Sequence, residues 1–123
     1  LYLLLLSRLN LCMKNKQFCF VYITVQNFEE AKLIAELAIS SKLCACANIL
    51  PTIHSMFKWK GKISLEKETV LILKTISEKF DELEKLVIKN HSYDTPCILK
   101  IDISRGNREF LNWVEGEVKQ DEF

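Results

Sequence analysis

The sequence predicts an α+β domain with four strands and three helices in the order β-α-β-β-α-β-α. Runs of β-branched and aromatic residues alternate with segments of helical period, and a glycine-containing turn joins the two central runs. Size is the third observation, because 123 residues are enough for one hydrophobic core and too few for two ordinary domains. We therefore expect one domain over residues 18–123, preceded by an N-terminal extension of residues 1–17.

The spacing of apolar residues changes near residue 26, which marks the boundary between the first strand and the first helix. Residues 18–25, FCFVYITV, have the composition of a strand buried on both faces. Asn27, followed three residues later by Glu30, is a helix start signal, and the helix is predicted to run to about Leu43. Small residues along one side of this helix should let it lie close to a sheet.

The next two strands are predicted to form a long hairpin. Residues 44–59 are largely apolar and contain Pro51, which stops or bends the strand, and residues 63–75 return as its partner. Gly61 supplies the positive φ of a tight turn. A hairpin of this length reaches past a four-stranded sheet and leaves unpaired edges that need a cover. Self-association of the chain is the simplest cover.

An amphipathic helix, a short strand and a terminal helix complete the pattern. Ser77 is predicted to cap a helix that runs to about Asn90, residues 97–103 form the fourth strand, and residues 107–118 form the last helix. The residues expected to face inward are Phe80, Leu83, Leu86 and Val87 in the second helix and Phe110, Leu111 and Val114 in the third. With right-handed crossovers, this order predicts a ferredoxin-like βαββαβ sandwich with a long β2-β3 hairpin and an extra C-terminal helix.

Composition argues against two kinds of partner. The 17 basic and 16 acidic residues give no positive field for a phosphate backbone, so no nucleic acid is expected. The apolar run of residues 1–12 is too short to span a bilayer, so no membrane partner is expected. We interpret that run as sequence upstream of a start at Met13, with a signal-sequence remnant as the alternative.

Cysteine usage predicts the compartment. The five cysteines include no C-x-x-C pair, which indicates reduced thiols and a cytoplasmic location. The apolar N-terminal run leaves a secreted or organellar location open.

Cys44 and Cys46 would lie about 6.5 Å apart on one strand face, a spacing that favours packing over chelation of one ion.

His91 is the first candidate for a metal ligand or proton carrier. It lies in the segment NHSYDTP, residues 90–96, where a loop can expose an imidazole and still position it. The alternative interpretation is that His91 caps the preceding helix. Glu68 is a further candidate, although it shares a strand face with Glu66, as on an ordinary solvated ribbon. Trp59 and Trp113 fit an interface or a core better than a stacking site.

Ordered motifs across roughly residues 18–118 resemble the CutA family of divalent-cation tolerance proteins. They are Thr24-Val25, LCACANI (43–49), SMFKWKG (55–61), Glu68 through Lys74-Thr75, HSYDTP (91–96) and FLNW (110–113). The resemblance implies a homotrimer whose long hairpins clasp neighbouring subunits, and a link to copper and other divalent cations. It implies no organic cofactor. The residues it implies are His91, Cys46 and Glu68 for metal and Phe57, Trp59 and Trp113 for the trimer interface.

The sequence departs from the family pattern at four positions. Cys44 stands where alanine is usual, and Phe57 stands where tyrosine is usual, so a hydroxyl is lost. Some bacterial members have a cysteine at the position of Ile23 and a second histidine at the position of Asn90. From that ligand set this sequence retains His91.

Three functional hypotheses follow. The first is a homotrimeric, non-enzymatic protein that binds copper or another divalent metal ion in metal homeostasis. The second is a non-catalytic signalling or scaffold trimer of the nitrogen-regulatory-protein type, which binds a small molecule in clefts between subunits. The third is an enzyme, but no nucleophile and base pair in the sequence predicts one, so we expect none.

Overall fold

The computed structural model describes residues 17–119 and has the predicted α+β order. Its elements are β1 (Phe18–Val25), α1 (Phe28–Ser40), β2 (Cys46–Trp59), β3 (Lys62–Ile76), a 3-10 turn (Ser77–Lys79), α2 (Phe80–Asn90), β4 (Ile98–Ile103) and α3 (Arg108–Val118). The strands form one antiparallel sheet in the order β2-β3-β1-β4. The ferredoxin-like sandwich, the long hairpin and the extra C-terminal helix are confirmed. All but the last residue of the predicted extension 1–17 lies outside the described residues.

The main core lies between the sheet and helices α1 and α2. Val21 pairs with Leu73 and Ile23 with Leu71 in the β1-β3 register, and all four side chains are fully buried. Alternate residues of a strand point to opposite faces, so these four side chains form one layer under the helices. The helices contribute Ala31, Ile34, Ala35, Ala38, Leu83 and Val87.

The first helix ends earlier than predicted. It ends at Ser40, and Lys42 has a positive φ of 59°. The backbone N–H of Leu43 donates to Ala38 O at 2.9 Å and that of Lys42 to Ile39 O at 3.0 Å, which is a Schellman ending. β2 then begins at Cys46 rather than at the predicted residue 44.

Two predictions about the second half were wrong. Ser77 does not cap α2, because a 3-10 turn over Ser77–Lys79 comes first and neither helix start has a side-chain cap. Phe110 is 41% exposed, whereas Val114 and Val118 pack α3 onto the sheet. The Phe110 ring instead lies 5.8 Å from that of Trp113, centroid to centroid, and the Nζ of Lys74 lies 5.5 Å from its centroid.

β2 and β3 extend past the other strands as a two-stranded ribbon, residues 53–68. β1 pairs with β3 as far as Thr69, whereas β2 continues alongside β3 to the turn. At about 3.3 Å per residue the ribbon is roughly 20 Å long. Lys60 and Gly61 form its turn, both with positive φ (51° and 79°), as a two-residue primed turn requires.

One extra residue of β2 sits where the ribbon leaves the sheet. Leu50 lies opposite Val70, but Ile53 lies opposite Glu68, so three steps along β2 match two along β3. The hydroxyl of Thr69 donates to Pro51 O at 2.6 Å and holds this bulge. Pro51 therefore bends the strand without ending it.

Apolar side chains stay exposed on the ribbon and on the sheet face away from α1 and α2. On the sheet these are Leu50, Leu99 and Ile101; on the ribbon they are Met56, Phe57, Trp59, Ile63 and Leu65. Exposed apolar surface of this extent is typical of a surface that contacts a partner. Between residues 17 and 119, no helix has the length and apolar character needed to cross a membrane.

Candidate functional site

His91 holds the loop that follows α2 against β1. Its side chain is fully buried, and its Nε2 lies 2.8 Å from the carbonyl oxygen of Thr24. A carbonyl oxygen can only accept, so Nε2 carries a proton and donates. The backbone N–H of Tyr93 donates to the other nitrogen, Nδ1, at 3.1 Å. His91 occupies the C-cap position of α2, but both of its ring nitrogens bond elsewhere.

The carboxylate of Glu30 lies beside this imidazole. Its Oε2 is 3.8 Å from His91 Nδ1, the side chain is 10% exposed, and Oε2 accepts no hydrogen bond. Its Oε1 accepts a long hydrogen bond of 3.4 Å from Gln26. The backbone N–H of Glu30 donates to Asn27 Oδ1 at 2.9 Å, which confirms the predicted helix start. The pattern identified Glu30 as a helix signal and missed its place next to His91.

Tyr93 links this buried pair to the ribbon. Its hydroxyl donates to Glu68 Oε2 at 3.0 Å, and its ring centroid lies 4.9 Å from that of His91. Burial, the hydrogen bond to Glu68 and the charges of Glu68, Glu30 and Glu66 raise the pKa of Tyr93 to about 12. The phenol therefore stays protonated at neutral pH and remains a donor to Glu68.

Cys46 lies at the other end of the sheet. It pairs with Lys74 on β3, six residues from Glu68, which at about 3.3 Å per residue is roughly 20 Å away. Burial raises the pKa of the Cys46 thiol, with Lys74 acting in the opposite direction. Cys44 is almost fully buried, and burial raises the pKa of its thiol to about 12, with a contribution from Cys46. Cys44 thus packs in the core, as the spacing argument expects.

The predicted metal ligands do not form one site within a single chain. His91 and Glu68 meet through Tyr93, and Cys46 is remote from both. Among residues 17–119 no three His, Cys, Asp or Glu side chains are arranged to hold one metal ion. A metal ion at any one of these residues would take its remaining ligands from water or from a second copy.

A cavity of about 700 Å³ opens beside Tyr93. The aromatic side chains of Phe57, Trp59 and Tyr93 line it together with the carboxylates of Glu68 and Asp94. A neighbouring recess of about 390 Å³ shares Phe57, Glu68 and Tyr93 with it. Trp59 and Phe57, predicted at an interface, therefore lie next to Glu68, which was predicted as a ligand. Trp113 lies apart, on α3.

The sheet, the projecting ribbon and the His91–Tyr93–Glu68 cluster define a small ferredoxin-like protein with an exposed apolar face. The chain belongs to the CutA1 divalent ion tolerance protein family, whose sequence profile matches residues 19–117. This confirms the resemblance noted in the sequence. The family is named for tolerance of divalent ions and not for a catalytic activity.

Relatives of known name agree with this assignment. The divalent-cation tolerance protein CutA of Archaeoglobus fulgidus is 49% identical over 100 residues, which cover 81% of this chain and 97% of that one. A solved structure of the periplasmic divalent cation tolerance protein CutA from the same organism has a TM-score of 0.80 and 47% identity, covering 83% of this chain and 99% of that one. The rice protein CutA 1, described as chloroplastic, is 40% identical over 100 residues, 81% of this chain and 56% of the rice protein. These relatives are described in two compartments, so the cytoplasmic location of this chain stays a prediction.

Proposed function

We propose that this chain is a non-enzymatic homotrimer of divalent-cation tolerance that binds copper or another divalent metal ion in metal homeostasis. The observation that supports assembly is the ribbon of residues 53–68. Both of its faces expose large apolar side chains, and among the described residues no third strand pairs with it. A two-stranded ribbon is marginally stable by itself in water, so contact with another copy would stabilise it.

The remaining exposed apolar surface supports the same assembly. The sheet face that carries Leu99 and Ile101 and the outer side of α3 at Trp113 are both open in the single chain. If the ribbon of each copy lies on the body of the next, the contact is head to tail, and such a contact gives a ring when its rotation closes. The family resemblance implies a ring of three, with Phe57, Trp59 and Trp113 at the interface.

Metal binding in this proposal uses ligands from more than one copy. Glu68 is the best placed of the three candidates, because it lies on the ribbon that meets a neighbour and shares its face with Glu66. Both ring nitrogens of His91 already have hydrogen-bond partners, so His91 can bind a metal ion only if it gives up its bond to Thr24 or to Tyr93. In this proposal its main role is to position the loop. Cys46 needs partners from a second copy as well.

Mass and copper titration on the same samples test the proposal. Light scattering should give three times the chain mass, and calorimetry with Cu(II) should show binding that Glu68→Gln weakens. Glu82→Gln, an exposed carboxylate in α2, is the matched control and should leave copper affinity unchanged. A monomer at micromolar concentration would contradict the assembly. Equal copper affinity in the wild type and Glu68→Gln would contradict the ligand assignment.

A second candidate function is a scaffold trimer that binds a small molecule between subunits. The observation that favours it is the cavity of about 700 Å³, because its Phe57 and Trp59 come from the ribbon and its Tyr93 from the loop after α2. Cavities of this size and lining are typical of small-molecule sites. A neighbour that contacts the ribbon would border the cavity.

A further inference from the structure

We infer that the cavity beside Tyr93 binds a small organic cation with an alkylammonium head group. The inference names the ligand class for the scaffold function proposed above and rests on it. Two features of the cavity support it, namely its aromatic rings and the sign of its charge. The poor fit of other ligand classes supports it as well.

The aromatic rings face one space. Phe57 and Trp59 are two residues apart on β2, so their side chains point to the same side of the ribbon. Glu68 lies opposite Ile53 in the antiparallel register and therefore shares that side. Tyr93 reaches the same place from the loop, because its hydroxyl donates to Glu68 at 3.0 Å. The three rings and the carboxylate thus border a common volume.

Carboxylates predominate around this volume, and one ammonium group, the Nζ of Lys60, lies over the Trp59 ring at 6.0 Å from its centroid. Glu68 and Asp94 are among the residues that line it, and none of those residues is a lysine or an arginine. Glu66 and Lys67 line the adjoining recess, and the buried Glu30 lies behind Tyr93, next to His91. After burial and the hydrogen bond to Glu68, the charges of Glu68, Glu30 and Glu66 also raise the pKa of Tyr93, which agrees with the carboxylates placed around it.

Other ligand classes fit less well. An anion would be repelled by Glu68 and Asp94, and a neutral apolar molecule would gain nothing from them. A bare metal ion is usually held by His, Cys, Asp or Glu, and among residues 17–119 no three of these side chains are grouped to hold one. An alkylammonium group uses both features, because aromatic faces attract cations and the carboxylates supply charge.

Choline is a suitable probe, and 3,3-dimethyl-1-butanol is its neutral analogue of the same shape. Calorimetry on the full chain should show choline binding, with the neutral analogue at least about tenfold weaker. Trp59→Leu should weaken choline binding by about tenfold, and Glu68→Gln should weaken it several-fold without changing side-chain shape. Phe28→Leu removes an exposed aromatic ring that does not line the cavity, so it should bind choline like the wild type.

The same samples separate failure of this inference from failure of the proposed assembly. Equal affinity for choline and its neutral analogue, or a wild-type oligomer that does not bind choline, would overturn the cation inference and leave the assembly intact. The second result is expected if a lysine of a neighbouring ribbon, such as Lys58 or Lys60, fills the cavity. A monomer by light scattering would overturn the assembly whatever choline does. If Trp59→Leu dissociates the oligomer, Glu68→Gln decides.

Discussion

The imidazole of His91 joins two segments that are 67 residues apart, with Nε2 donating to the carbonyl oxygen of Thr24 at 2.8 Å. The backbone N–H of Tyr93 occupies the opposite nitrogen, so the loop after α2 has one orientation relative to β1. That orientation brings the phenol of Tyr93 to Glu68. The positions of the cavity wall and of the ribbon carboxylate therefore depend on a buried histidine.

Replacing His91 with phenylalanine tests this positioning role. The ring volume stays similar, but the carbonyl of Thr24 loses its donor and the N–H of Tyr93 its acceptor. A lost buried hydrogen bond costs about 1–3 kcal/mol, so we expect the free energy of unfolding to fall by about that much. The urea concentration at the midpoint of unfolding should fall with it. Hydrogen exchange should speed up over residues 91–95. Unchanged stability combined with lost copper binding would contradict the positioning role and favour His91 as a direct ligand.

Alkaline titration of Tyr93 tests the environment at Glu68. Because the folded-state pKa is raised from 10.0 to about 12, the folded chain keeps the phenol proton that the unfolded chain releases. The contribution to stability is complete below pH 10 and is lost as the pH rises from 10 to 12. Difference absorbance between the wild type and Tyr93→Phe should show one tyrosine that ionises near pH 12. Glu68→Gln should lower that midpoint; a Tyr93 midpoint at pH 10 would contradict the contact.

Thiol reactivity provides a test of burial. Cys44 is almost fully buried, and the pKa of its thiol is raised to about 12, so little thiolate exists at neutral pH. Iodoacetamide should therefore modify the half-buried Cys97 in the native protein well before Cys44, as read by peptide mass mapping. The two should react alike in urea. Early modification of native Cys44 would contradict the packing described for it.

The ribbon turn can be improved by a single substitution. Lys60 has a φ of 51°, in the left-handed region that asparagine tolerates better than lysine. We expect Lys60→Asn to raise the free energy of unfolding by about 0.5–1 kcal/mol, since left-handed backbone costs a residue with a long side chain roughly that much. Lys58→Asn, in a strand without positive φ, is the control and should not stabilise. A fall in the melting temperature of Lys60→Asn would contradict the turn geometry.

The fold was predictable because its signals are local. Strand composition, the Asn27 helix start and Gly61 at the turn each act within a few residues, and each has a counterpart in the structure. The wrong predictions concern the end of a helix and the facing of one side chain, which the spacing of apolar residues does not determine. Lys42, a residue other than glycine, adopts the left-handed conformation that ends the first helix, and Phe110 is 41% exposed although its spacing fits the inner side of α3.

The candidate site was only partly predictable because its contacts are tertiary. The composition of one loop identified His91 as the residue to examine. Its partner Thr24 and its neighbour Glu30 come from the other half of the chain, and nothing in their local sequence indicates that they meet. The hydrogen bond between Tyr93 and Glu68 likewise depends on where the ribbon leaves the sheet.

The extra residue near Pro51 sets the direction of the ribbon and not the facing of its side chains. Leu50 and Ile53 are three steps apart but lie opposite Val70 and Glu68, which are two steps apart on one face of β3, so removing one residue between them would give regular pairing and leave every later position of β2 on its present face. Phe57 and Trp59 would still point to the side of Glu68, but the bend and the extra twist at the base of the ribbon would be lost. A deletion at 51 or 52 should therefore change the direction in which the ribbon leaves the sheet, and so where it meets a neighbour, without changing which side chains lie on each of its faces.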